Sequence, residues 1–184
     1  MLPDTNQPDT KPAKTKKLRL FFALWPDEAV RDSLARLKHG VAKKCTGKPI
    51  QTSNLHITLA FLGNVDADRL ECILPMAEAI SFKPFGFKLD HLGLFRNSKV
   101  IWGGLDTEPA ELINLAAELH QGAIACGIKM DNRPYTPHLT LLRKATHLPS
   151  LTIKPVNWKA NDFCLVLSET TPDGVKYSVL NRWS

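Results

Sequence analysis

Two short segments of the 184-residue chain share one arrangement, His56-Ile57-Thr58-Leu59 and His138-Leu139-Thr140-Leu141. On a strand, residues i and i+2 share a face. Each segment therefore presents an imidazole and a hydroxyl together, His56 with Thr58 and His138 with Thr140, while Ile57, Leu59, Leu139 and Leu141 anchor the opposite side. At average residue usage, two such matches arise by chance in only about a few chains per ten thousand of this length. Imidazole titrates at a reference pKa of about 6.5, so a pair can hold one neutral base and one protonated acid at once. Opening a cyclic phosphodiester needs that combination: a base takes a proton from attacking water, and an acid protonates the departing ribose oxygen on the far side of phosphorus. The threonine hydroxyls can hydrogen-bond the non-bridging oxygens, where charge builds in the transition state. The scheme calls for no metal and no cofactor.

Zinc is the rival use of two histidines, because imidazole is a common ligand. Against it, no carboxylate or cysteine stands at ligand spacing beside either segment, and threonine is a poor zinc ligand. A lone strand histidine is more often a packed or surface residue than a catalyst; duplication with a paired threonine reverses that expectation. Tyr135 and Phe61 flank the segments and can stack a base, although aromatic residues beside strands usually belong to the core. His39, near a helix C-terminus, reads as structural. His91, His120 and His147 have no motif around them, and Trp102 reads as core.

The elements that must position these residues follow from periodicity. Residues 18–24 form a short apolar run, a buried strand. Pro26, Asp27 and Glu28 open a helix with Val30, Leu34, Leu37 and Val41 on one face. A strand over 55–62 ends at Gly63, and a second helix starts near Asp66, interrupted or kinked by Pro75. Strands over 85–95 and 99–105 form a hairpin through Arg96-Asn97-Ser98, and Thr107 and Pro109 open a third helix that stops at Gly127. A strand over 137–143 and a closing pair, 163–168 and 176–180 around Pro172-Asp173-Gly174, complete the order. The succession strand, helix, motif strand thus occurs twice, with 32 positions from Leu24 to His56 and 33 from Leu105 to His138. Two such half-structures predict a two-lobed α+β protein whose motifs meet between the lobes.

Composition is that of an ordinary globular chain, 43% hydrophobic and 23% charged. No run reaches the roughly 18 apolar residues of a membrane span, and the first residues lack the apolar stretch of a secretory signal, so a cytoplasmic protein is expected. Residues 1–17 read as a disordered basic tail and 18–184 as one bilobal domain. The tail's four lysines (Lys11, Lys14, Lys16, Lys17) against Asp4 and Asp9 give +2 of the net +6, leaving +4 on the body, a modest field that suits a phosphate-bearing partner. Cys45, Cys72, Cys126 and Cys164 form no Cys-x-x-Cys pair and are expected as reduced, mostly buried thiols.

Several segments together resemble a known family, the 2H phosphoesterases, specifically the bacterial RNA 2′,3′-cyclic phosphodiesterases once called 2′-5′ RNA ligases. They are the opening strand ending in Trp25-Pro26, the run Asn54 to Gly63, the strand with Trp102, and the run Pro134 to Arg143. The resemblance covers nearly everything from Leu18 onward. It implies a bilobal, pseudo-twofold α+β fold, with antiparallel-rich sheets lining a central cleft and helices outside. It implies hydrolysis of a terminal 2′,3′-cyclic phosphate to a 2′-phosphate, and in some members a reversible 2′-5′ ligation. His56 and His138 become the acid–base pair, Thr58 and Thr140 the phosphate clamps, and Arg143 a further phosphate ligand. Strict alternation points Arg143 away from His138 and Thr140, so a bulge must turn it inward. The expected partner is RNA or a nucleotide with a 2′,3′-cyclic phosphate, taken by a monomer without metal or membrane. A 2′-5′ RNA ligase, a 2′-5′ oligonucleotide phosphodiesterase and a non-catalytic RNA-end-binding module are the alternatives. The last has no need of two proton-transfer groups.

Overall fold

The computed structural model describes residues 16–172 and 174–184, so the expected tail lies outside the described residues as far as residue 15, as does Asp173 of the closing turn. The first described strand, β1 (Lys17–Leu24), starts one residue before the expected run over 18–24. From Leu20 to Leu24 this strand is buried on both faces, as a continuous apolar run requires. α1 (Glu28–Ala42) opens at Asp27, whose carboxylate accepts a 2.8 Å bond from the Val30 amide. There follow β2 (Lys48–Pro49), β3 (Ile57–Asp66), α2 (Leu70–Glu78), β4 (Phe85–Leu89), β5 (His91–Phe95) and β6 (Val100–Gly104). α3 (Ala110–Ala125), β7 (Leu139–Arg143), β8 (Val156–Ala160), β9 (Phe163–Thr171) and β10 (Gly174–Trp183) close the chain.

The expected repeat is β1–α1–β3 and β6–α3–β7. Both halves contribute to one eight-stranded antiparallel sheet in the order β10-β9-β1-β3-β7-β6-β5, with β2 paired to β7. Each motif strand pairs with the opening strand of its own half, and the two motif strands meet at the single register pair Ile57↔Leu139. Those two residues each follow a motif histidine, so the pseudo-twofold axis passes between them. The repeated hydrophobic pattern thus places both motifs side by side at the joint.

One face of this sheet is closed by the helices. Leu34, Leu37 and Val41 of α1 and Leu112, Leu115, Ala116, Leu119 and Ala123 of α3 share a core with Ile57, Leu59, Leu139 and Leu141 of the motif strands. Truncating such a fully buried aliphatic residue typically costs about 2–5 kcal/mol, which is why the backs of the motifs are aliphatic. The other face carries only a small cluster, Phe21, Ala23, Cys164 and Val166, with Trp25 and Tyr177 against it, and is otherwise open as a cleft.

Four local expectations change. β3 runs through Gly63, which takes φ 74°, a conformation glycine reaches without strain. α2 continues through Pro75 over nine residues, after a 3-10 turn at Ala67–Arg69. The run 85–95 is two strands, broken at Asp90: β4 leaves to pair with β8, and β5 pairs with β6. Cys72 on α2 and Cys126 at the C-terminal cap of α3 are not free thiols but joined in a disulfide across 54 positions; Cys45 and Cys164 are free.

Candidate active site

His56 and His138 stand at the entrances of β3 and β7, one residue before each strand begins. Each ring is held by the same device. His56 Nδ1 lies 2.7 Å from the Asn54 carbonyl and His138 Nδ1 lies 2.8 Å from the Thr136 carbonyl, in both cases two residues back. A carbonyl only accepts, so each Nδ1 carries the proton and donates it. Each Nε2 is thereby left as the free nitrogen. At His56 the Thr58 hydroxyl donates to that nitrogen across 3.1 Å.

The loop before motif 1 is tied from three sides. Lys38 of α1 donates to the Ile50 carbonyl at 2.9 Å and to the Thr52 hydroxyl at 2.7 Å. The Ile50 amide donates to the Leu141 carbonyl at 3.1 Å, and the Asn54 amide side chain to the Val175 carbonyl at 2.8 Å. The loop before motif 2 is tied by Tyr135, whose hydroxyl donates to the Thr58 carbonyl at 3.0 Å. Burial, and then the charge of Glu108, push the Tyr135 phenol well above its ordinary range, so it stays a donor. Tyr135 braces one motif against the other, and its ring lines an adjoining cavity.

Aromatic rings enclose both imidazoles. Trp25 lies parallel to His56 with centroids 5.4 Å apart, while Phe21 at 4.9 Å and Tyr177 at 5.3 Å close the sides. His138 meets the edges of Phe95 at 5.0 Å and Trp102 at 6.3 Å. Trp102 is thus not simply core. It lies across Gly93 and Gly104, where an added Cβ would come within 2.1 and 2.3 Å of its ring, so only glycine permits this placement. Burial is the main cause that pushes His56 down to about 4, reinforced by the charges of His138 and Arg143 and opposed by the bond to Asn54. His138 is lowered too, by burial first and then by the charge of Arg143, against the bond to Thr136.

Arg143 reaches the cleft by the bulge that alternation demanded. Against β6, Thr140 is paired with Trp102 and Leu142 with Ile101, which leaves Leu141 as the extra residue. Leu141 and Leu142 are both buried, and Arg143 emerges on the side of His138 and Thr140. β3 does the same at Leu59, skipped between Ala23↔Thr58 and Phe22↔Ala60, so Phe61 emerges beside Thr58, 47% exposed. All four motif residues, Arg143 and Phe61 line one cleft of about 760 Å³. A second cavity of about 890 Å³ lies beyond Phe61, toward α3, and shares Thr58, Phe61 and His138 with it.

Sequence reasoning missed Phe21, Trp25, Tyr177 and Phe95, the aromatic surroundings of the imidazoles, and also the cleft cations Arg19 and Lys48. Only the two carbonyl anchors left a local signal, the shared i−2 position. His91 stands apart, with Nδ1 3.2 Å from Asp90 and 3.1 Å from Asp106; this trio could hold a cation, but it packs against Trp102 and lines neither cavity. No carboxylate or thiol lines the cleft among the described residues.

The family model for LigT-like phosphoesterases matches residues 24–102 and 104–177. The chain is 33% identical over 168 residues to the RNA 2′,3′-cyclic phosphodiesterase of Escherichia coli, covering 90% of this chain and 96% of that one. It is 31% identical over 179 residues to the protein of the same name from Methanocaldococcus jannaschii, covering 90% and 100%. Its structure superposes on E. coli LigT complexed with 3′-AMP with a TM-score of 0.83 at 33% identity, over 91% of this chain and 98% of that one.

Proposed function

The chain belongs to the LigT-like phosphoesterase family, and from that premise we propose that it is an RNA 2′,3′-cyclic phosphodiesterase working by two-histidine acid–base catalysis. The observation that carries the chemistry is the paired carbonyl anchoring, which commits both Nδ1 protons and turns both Nε2 atoms to one cleft. His56, enclosed by three aromatic rings, is the neutral partner and the general base; His138, enclosed by two, is the acid. His56 Nε2 takes a proton from water as the water oxygen bonds to phosphorus. The bond from phosphorus to the ribose 3′-oxygen breaks, and His138 Nε2 supplies the proton that oxygen needs, leaving a 2′-phosphate. The proton gained at His56 and lost at His138 then re-equilibrate through solvent. Thr58, Thr140 and Arg143 hold the non-bridging oxygens, worth most where charge develops. Phe61 offers a stacking face to the base; Tyr135 serves the site through Thr58.

Each imidazole has one nitrogen committed, and among the described residues the cleft offers no carboxylate or thiolate to complete a ligand set, which supports a scheme that runs without a metal. Every group it needs comes from one chain, which supports a monomer. No described helix is long and apolar enough to cross a membrane. An RNA end as substrate favours the cytoplasm, where reducing conditions act on Cys72–Cys126. The test is incubation with cyclic mononucleotides, oligoribonucleotides ending in a 2′,3′-cyclic phosphate, and 2′-5′-linked dimers, with and without chelator, with product isomers separated. A 2′-phosphate product at a chelator-insensitive rate is expected. Exclusive cleavage of the 2′-5′ dimers, or loss of activity on chelation, would overturn the reading.

A further inference from the structure

The two ends of the cleft are chemically unequal, and that inequality points to a second anion on the substrate. Because the pseudo-twofold axis passes between Ile57 and Leu139, the residues two places beyond each bulge and five after each histidine, Phe61 and Arg143, lie at opposite ends. At the Arg143 end Lys48 is its direct cross-strand partner, so two cations serve the phosphate there. At the other end the symmetric position holds an aromatic ring instead. The cation is supplied from β1, with the Arg19 guanidinium 4.9 Å above the centre of the Phe61 ring. Among the described residues Arg19 makes no ion pair and no side-chain hydrogen bond, so its planar donor fork is oriented by stacking and left free. A stacked guanidinium with unused donors is suited to bidentate phosphate binding.

Spacing fixes which phosphate. Arg19 and Phe21 share the cleft face of β1, two residues or about 7 Å apart, and the Phe21 ring lies against His56. Arg19 therefore stands one same-face position, about 7 Å of backbone, beyond the residue packed on His56, at the end of the cleft away from Arg143. A terminal cyclic phosphate carries a single negative charge, already met by Arg143, Lys48 and the threonines. We propose that Arg19, seated on Phe61, is a second phosphate subsite that takes the phosphate on the 5′-oxygen of the nucleoside bearing the cyclic end. Arg19 is then a specificity-determining residue, which ranks a 5′-phosphorylated or chain-linked end above a bare cyclic nucleoside. This rests on the proposed function for the reaction, but the binding site stands independently of turnover.

The experiment compares three substrates: a nucleoside 2′,3′-cyclic phosphate with a free 5′-hydroxyl, the same compound carrying a 5′-phosphate, and a dinucleotide ending in the cyclic phosphate. For the wild type, kcat/KM for the second and third should exceed the first by on the order of tenfold, mainly through KM. Arg19→Gln should bring those ratios close to one, and Arg19→Lys should restore them only in part. In parallel, calorimetry measures the affinity of a nucleoside 3′,5′-bisphosphate against that of the nucleoside 3′-monophosphate for the wild type and Arg19→Gln. The bisphosphate should bind the wild type about tenfold more tightly, with the advantage lost in the variant. Equal affinity in the wild type, or an advantage that survives Arg19→Gln, overturns the subsite. A gain for the dinucleotide alone assigns the preference to base stacking and also overturns it. Absence of turnover with an Arg19-dependent binding preference refutes the proposed reaction and leaves the subsite standing.

Discussion

Acidification should destabilise this protein through His56 in a way that can be isolated. The ring is enclosed by Phe21, Trp25 and Tyr177, and burial pushes it from 6.5 down to about 4. In the unfolded chain the same imidazole titrates near 6.5. Above that value neither state binds the proton, and the folded protein keeps its full stability. As the pH falls below about 6.5 the unfolded chain takes up a proton that the folded chain refuses, and stability drops until the folded ring titrates as well. A difference from 6.5 to about 4 corresponds to roughly 3 kcal/mol lost across that window. Carboxylates also titrate there, so the measurement is a difference. Urea unfolding free energies are compared at about pH 7.5 and pH 4 for the wild type and His56→Gln, which has no proton to gain. The wild type should lose about 3 kcal/mol more than the variant. Parallel losses in the two proteins would refute the enclosure as the cause, and a His56 NMR titration midpoint near 6.5 would do so directly.

Three further outcomes follow from the geometry. Because both imidazoles are lowered, the bell in kcat/KM should peak on the acid side of the ordinary histidine value, not at neutrality; a peak at or above pH 7 in a full pH–rate profile contradicts this. Tyr135→Phe should lower stability by about 1–2 kcal/mol, since the Thr58 carbonyl loses its donor, and should reduce kcat more than it changes KM; an unaltered melting temperature rules out the brace. Reducing Cys72–Cys126, which closes a 54-position loop, should cost up to about 4 kcal/mol of stability yet leave kcat/KM unchanged below the melting transition, because neither cysteine lines the cleft; denaturant midpoints with and without reductant decide it.

What could be read in advance divides along local and non-local lines. The motif faces, the buried strand β1, the stripe of α3 and the duplicated order all follow from periodicities spanning a few residues, and they hold. Arg143 could not be placed that way, because a bulge at Leu141 is a property of the register with β6 and leaves no mark in the residues around it. Cys72 and Cys126 are brought together only by the packing of α2 on α3, so their spacing showed nothing. The break at Asp90 depends on β8, a five-residue alternating segment that went unassigned, pulling β4 away from the main sheet. Arg19 is the instructive case. On the strand it is one basic residue within an apolar run, and only its position over Phe61 makes it part of the site.

The division of labour between the histidines is tested most directly by kcat/KM for an oligoribonucleotide ending in a 2′,3′-cyclic phosphate, measured for the wild type, His56→Ala and His138→Ala. Both variants should keep the fold and lose about 10² to 10⁴-fold in rate. A substrate with a better leaving group at the 3′-oxygen should rescue His138→Ala and not His56→Ala. Near-normal turnover in either variant, or rescue of His56→Ala instead, would contradict the mechanism.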